Sequence, residues 1–146
     1  MAGKYRVAVV GDSDCGGYGH GIDNCWLEIP ATQIVAVADP VESGRVDRVQ
    51  TLGAEQGVAD YREMLDTVKP DIVGIGPRWV DQRHEMIMAV AERGIHMYME
   101  KPMCRDLVEA DAMVAACEKR NVKFAIGHQT RYGPAMRVIR DVIDDG

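Results

Sequence analysis

The chain has no uncharged stretch long enough to cross a membrane. Its longest, such as Val7 to Gly11 and Ile72 to Pro77, are the length of strands. The opening apolar run stops at Gly11 and Asp12, too early for a secretory signal. There is no basic block, and 17 Lys and Arg against 23 Asp and Glu leave a net charge of −6. That balance argues against nucleic acid and against anionic membrane surfaces as partners. The four cysteines, Cys15, Cys25, Cys104 and Cys117, include no Cys-x-x-Cys pair, so neither a zinc ribbon nor a redox dithiol is supported. A disulfide scaffold would be smaller and denser in cysteine, and four reduced thiols in a cytoplasmic protein are expected. Met88 stands where a zinc-protease helix beginning His84-Glu85 would need its second histidine, so no metal site is expected. No linker, low-complexity tract or internal repeat divides the chain.

What remains is ordinary globular composition at the size of one domain: 146 residues, 47% hydrophobic and 27% charged. A chain of that length buries roughly 68–70% of its unfolded surface and can hold a core without staples.

Short, β-branched apolar runs alternate with helical patterns. Lys4 to Val10, Gln33 to Ala38, Asp71 to Gly76, Ile95 to Glu100 and Lys123 to Gly127 read as strands, with a weak one near Gly57 to Ala59. Ser43 to Leu52 and Tyr61 to Val68 read as amphipathic helices. Val80 to Arg93 carries Met86, Ile87, Val90 and Ala91 at helical spacing, and Gly94 stops it. Asp106 to Glu109 reads as a capping box opening a helix to about Arg120, and a last helix begins near Pro134. Near-continuous apolar strands between helices predict an α/β fold, a doubly wound parallel sheet of about six strands.

Such sheets bind ligands beyond the carboxyl ends of their strands, so the residues just after each strand carry the chemistry. The first strand feeds Gly11-Asp12-Ser13-Asp14-Cys15-Gly16-Gly17-Tyr18-Gly19-His20-Gly21. The strict dinucleotide fingerprint is absent; Gly11, Ser13 and Gly16 come nearest, with Ser in place of the middle glycine. The plain alternative is a flexible turn that holds no phosphate. Asp39, 28 residues after Gly11, is placed to accept from both hydroxyls of an adenosine ribose, which favours NAD. Otherwise it opens a common Asp-Pro turn, and Arg45 nearby keeps NADP open. Glu100-Lys101-Pro102 follows the fifth strand, and Pro102 restricts Lys101 to an extended backbone. A lysine near its ordinary pKa of about 10.4 is a poor base at neutrality, but an ammonium can stabilise a developing alkoxide. His84 and His96 read as packing or hydrogen-bonding residues. His128, with Arg131 nearby, is placed either to touch a substrate or to cap the last helix. The methionines at 86, 88, 97, 99 and 103 read as core filler.

Together these residues resemble a family. The glycine-rich loop, Ala38-Asp39, Pro77 with His84 further on, and Gly94-Ile95-His96-Met97-Tyr98-Met99-Glu100-Lys101-Pro102 are similar to the NAD(P)-binding domain of Gfo/Idh/MocA oxidoreductases. Val122 to Tyr132, leading into Pro134, is similar to the stretch where that family leaves its dinucleotide domain. The resemblance implies a Rossmann domain over 1–127 and, over 128–146, the start of a connection to a second α+β domain absent from this chain. It implies hydride transfer between a nicotinamide and a hydroxyl carbon of a sugar, cyclitol or related small molecule. Gly11, Ser13, Gly16, Gly17, His20, Asp39, Pro77, Glu100, Lys101 and Pro102 would line the cofactor. Lys101 would contact the reacting hydroxyl, with His128 and Arg131 on the substrate side, and the Lys101–Pro102 bond would be cis.

Two departures stand out. One extra residue and Ser13 alter the loop, and Pro77-Arg78-Trp79 replaces the family's usual small polar residues after that proline. The rival reading is a non-catalytic Rossmann module that senses a nucleotide or sugar. A homo-oligomer is expected, with apolar surface exposed around Trp79, Met103 and Tyr132, and the chain alone is expected to be inactive.

Overall fold

The structure, a computed structural model, describes residues 3–146; Met1 and Ala2 of the expected first domain lie outside the described residues. Six strands form one sheet: β1 (Tyr5–Val10), β2 (Thr32–Ala38), β3 (Gln56–Val58), β4 (Ile72–Ile75), β5 (His96–Met99) and β6 (Phe124–Ile126). Every pairing is parallel, in the order β3-β2-β1-β4-β5-β6. The helices are α1 (Glu42–Leu52), α2 (Tyr61–Val68), α3 (Arg83–Glu92), α4 (Leu107–Lys119) and α5 (Pro134–Asp145). This is the expected doubly wound Rossmann sheet. The chain reverses its direction of travel across the sheet between β1 and β4, which opens a crevice at their carboxyl ends.

Strand periodicity sorts the core. In β1, Val7 and Val9 face one layer, with Trp26, Ile34, Val37 and Leu52; Ala8 and Val10 face the other, with Met64, Leu65, Ile87 and Met113. Met86, Met97, Met99 and Met113 are buried, as filler should be, whereas Met88 is only half-buried. α4 begins at Asp106, whose side chain accepts from the Glu109 N–H at 2.9 Å. Glu109 does not close the expected box on Asp106. It reaches one residue further and accepts from the Arg105 N–H at 3.0 Å, because the Arg105 guanidinium draws it there.

The first crossover departs from strand–helix–strand alternation. Turns and a short 3-10 helix, Cys25–Glu28, replace an α-helix between β1 and β2. Four of the six residues from Gly16 to Gly21 are glycine, each costing an α-helix about 1 kcal/mol relative to alanine. Trp26 covers the sheet instead: its indole N–H donates to the Ile22 carbonyl at 2.8 Å, and its ring meets Tyr98 edge-on at 6.1 Å.

α5 buries none of its side chains. Val138, Ile139, Val142 and Ile143 are 50–72% exposed. Trp79 and Tyr132 are exposed as well, and Met103 is half-buried.

Candidate cofactor and substrate site

The loop after β1 is held by its own polar groups. Gly17 N–H donates to the Asp12 carbonyl at 2.7 Å, and the Asp12 side chain accepts from the Asp14 N–H at 3.1 Å. Gly16 has φ +89°, and a side chain there would run into the Arg78 backbone nitrogen at 2.5 Å. Arg78 closes the same contact from its side, with Nε donating to the Gly16 carbonyl at 3.1 Å. Arg78 is therefore spent on the glycine loop, and Trp79 points to solvent.

Asp39 ends β2 and is wholly buried. Its carboxylate accepts from Ser13 Oγ at 2.7 Å, from the Tyr18 hydroxyl at 2.7 Å, from the Val41 N–H at 2.8 Å and from the Ser13 N–H at 3.2 Å. Burial, followed by the bond to Asp39, pushes the Tyr18 phenol far above its usual range, so its hydroxyl stays a donor. Arg45 donates to the Asp39 carbonyl at 2.5 Å.

Glu100 ends β5, also wholly buried, and ties the glycine loop to that strand. It accepts from the His20 N–H at 2.5 Å, from His20 Nδ1 at 3.0 Å and from the Lys101 N–H at 3.0 Å. Burial alone would raise its carboxyl; the donors from His20 and Lys101 outweigh it and hold the group below the usual carboxylate range. The Lys101–Pro102 bond is cis. Lys101 is exposed, and among the described residues its ammonium has no hydrogen-bond partner.

Arg83 is the residue that sequence reasoning missed. Only 1% exposed, its guanidinium donates to the carbonyls of Pro77, Glu100 and Pro102, drawing together the ends of β4 and β5. Burial lowers its pKa, opposed by the Glu100 charge. A signal was present: Arg83 shares the buried α3 stripe with Met86, Ile87 and Val90. It is also a cation in a first helical turn, where the helix dipole disfavours one.

Two clefts lie along the carboxyl edge of the sheet. One, of about 360 Å³, is lined by Val10, Gly11, Asp12, Ala38, Pro40, Tyr61, Arg62, Gln82 and Met86, among others. The other, of about 570 Å³, is lined by His20, Lys101, Gly127, His128, Gln129, Thr130, Arg131 and Met136. The second brings Lys101, His128 and Arg131 together. Of the expected cofactor residues, Gly11 lines the first cleft and His20 and Lys101 the second, while Asp39 and Glu100 are wholly buried. His96 stands apart at the amino end of β5, where its Nδ1 accepts from the Lys123 N–H at 3.1 Å. The described residues contain no group of three or more His, Cys, Asp or Glu side chains able to hold a metal ion.

The carboxyl edge suits an elongated dinucleotide, with an apolar cleft for a base at one end and a lysine at the other. Asp39 is the exception, its acceptors already taken by the chain itself. The sheet order and the two clefts define a nucleotide-binding domain of the Rossmann class. Residues 5–128 match GFO_IDH_MocA, described as "Oxidoreductase family, NAD-binding Rossmann fold", and the chain belongs to that family.

The chain is 31% identical over 147 residues to scyllo-inositol 2-dehydrogenase (NAD(+)) of Bacillus subtilis, covering 100% of this chain and 42% of that protein. It is 28% identical over 144 residues to D-apiose dehydrogenase of Paraburkholderia graminis, covering 98% of this chain and 37% of that protein. The crystal structure of myo-inositol 2-dehydrogenase from Lactobacillus plantarum superposes with a TM-score of 0.82 at 23% identity, over 98% of this chain and 42% of that one, and shows the shared fold. The chain thus spans 37% and 42% of the two sequence relatives named.

Proposed function

We propose that this chain is the cofactor-binding part of an oxidoreductase. The reaction moves a hydride between a nicotinamide and a hydroxyl-bearing carbon of a sugar, cyclitol or related small molecule. The observation that carries this reading is the cleft where Lys101, His128 and Arg131 converge, beside the β1–β4 crevice. The cofactor, NAD in preference to NADP, supplies the hydride acceptor. Gly11, Ser13, Gly16, Gly17, His20, Asp39, Pro77, Glu100 and Pro102 would hold it along the carboxyl edge. Lys101 Nζ would orient the substrate hydroxyl and stabilise the alkoxide as the hydride passes to the nicotinamide, the hydroxyl proton going to a base in a further domain. His128 and Arg131 contact the rest of the substrate. Residues 128–146 begin a connection to a further domain, and the protein works in the cytoplasm.

Adding the chain to NADH should enhance nicotinamide fluorescence, and NADPH should bind more weakly. Unchanged fluorescence would contradict the proposal, and equal affinity would remove the NAD preference.

A homo-oligomer fits the same reading. The apolar face of α5 is a continuous patch of the kind that drives association. Light scattering should give a dimer or larger species that becomes monomeric when Val138 and Val142 are both changed to Glu. A monomer at high concentration would contradict it.

A further inference from the structure

We propose that Tyr18 stands in for the cofactor's ribose on Asp39, so that binding requires the tyrosine to leave; this rests on the cofactor reading above. A carboxylate that reads a ribose must have acceptors free for its hydroxyls. Asp39 has none: its oxygens are engaged by Ser13, Val41 and Tyr18, and it is wholly buried. Three of its donors are held in place by packing and by a helix start. The Val41 N–H sits at the start of α1, and Ser13 is wedged against Gly44, where a side chain would meet its Oγ at 1.8 Å. The fourth, the Tyr18 hydroxyl, belongs to the loop and is chemically what a ribose presents: a neutral hydroxyl donor at 2.7 Å from Oδ2.

The ring blocks the same space. It lies over Gly11, where a Cβ would be 2.2 Å from its edge. On the side where a Cβ would stand, Gly11 is therefore open to close approach by a ligand only once the ring has gone. The ring is 7% exposed and packs with Val7, Val9, Trp26 and Val37, so leaving costs that packing together with the Asp39 bond and the Arg48 guanidinium 4.9 Å from its centroid. The neighbours on either side are glycines at positive φ, Gly17 at +63° and Gly19 at +72°, and the Tyr18 backbone itself packs against Gly76, where a Cβ would meet it at 2.8 Å.

Exchange leaves the hydrogen bonds in balance: Tyr18 Oη releases Asp39 Oδ2, a ribose hydroxyl takes it, and the Ser13 and Val41 bonds persist. The free chain therefore divides its population between a closed and a binding-competent state, and its apparent affinity is reduced accordingly. A 2′-phosphate gains nothing from the exchange, since it offers the freed carboxylate a like charge.

The test is calorimetric titration of NADH and NADPH into the wild type and Tyr18→Phe. Phenylalanine keeps the ring against Gly11, and circular dichroism checks that the fold is retained. Tyr18→Phe should bind NADH roughly tenfold tighter, the worth of one hydrogen bond to a charged group, and prefer NADH over NADPH more strongly than the wild type. NADH affinity unchanged or weakened overturns the proposal and leaves the cofactor reading intact. Binding in neither protein overturns both. The unsubstituted chain gives a second reading: with 3-fluorotyrosine incorporated, the Tyr18 fluorine resonance should move on adding NADH, and a stationary resonance during binding overturns the proposal.

Discussion

Lys101→Met should abolish most turnover in a dehydrogenase that carries this domain, with NADH affinity kept. The loss expected for removing a group that stabilises a developing alkoxide is about 10²–10⁴-fold in kcat. Cofactor binding should survive because the contacts holding Glu100, Lys101 and Pro102 in place are made by backbone groups and by Arg83, not by the Lys101 ammonium. Lys101 extends into the cleft shared with His128 and Arg131, away from the base-side cleft of Pro40 and Tyr61. Single-turnover kinetics and an NADH titration separate the two effects. The 146-residue chain by itself should bind NADH and oxidise no polyol. On the proposed reading His128 contacts the substrate and the hydroxyl proton goes to a base in the further domain, while His20 is held by buried Glu100. Turnover by this chain would contradict the account and make His128 the first residue to substitute.

The second large effect concerns Arg83. Its guanidinium serves three carbonyls, those of Pro77 and Glu100 through buried bonds and that of the exposed Pro102 through a part-buried one. Arg83→Met fills much of the volume but leaves those acceptors unmatched, at about 1 kcal/mol each or more. A loss of roughly 3 kcal/mol follows, which for a chain of this size lowers Tm by about 6–12 °C. NADH affinity should fall in parallel, because the same bonds set where Lys101 and Pro77 stand. Arg83→Lys keeps the charge but reaches only part of the fork, and should fall between the two. Thermal unfolding at neutral pH measures both variants; a Tm for Arg83→Met within 2 °C of wild type would show that water or a shifted backbone satisfies the carbonyls.

The sheet was legible because its signals are local. Short, largely apolar runs of five to seven residues marked all five principal strands; the structure extends β2 by one residue to Thr32 and trims the others by one residue at one or both ends. β3, the weak one, shifted by one residue to Gln56–Val58. The α3 boundary moved from Val80 to Arg83 because residues 80–82 form a turn at the carboxyl edge.

The site was legible where a residue's place after a strand fixes its position. Lys101, His128 and Arg131 do meet in one cleft. It was not legible where function depends on contacts between distant loops. Nothing local in Gly17-Tyr18-Gly19 announces that the tyrosine folds back 21 residues' separation onto Asp39. Arg83 carried a readable anomaly, a cation on an apolar stripe, but its three carbonyl partners come from two other loops. The exposed face of α5 was also passed over. Its apolar pattern reads as a packing face from sequence, and only the structure shows that nothing covers it.

The central claim is that a nicotinamide dinucleotide lies along the carboxyl edge of this sheet, across the β1–β4 crevice, with its reactive end at Lys101. A backbone amide NMR titration of the chain with NADH tests it most directly. The account predicts shifts at Gly11 to Gly19, at Asp39 and Val41 and at Lys101, with the amides of Lys69, Gly94 and His96 at the opposite edge unmoved. Shifts concentrated at that opposite edge, or none at saturating NADH, would contradict it.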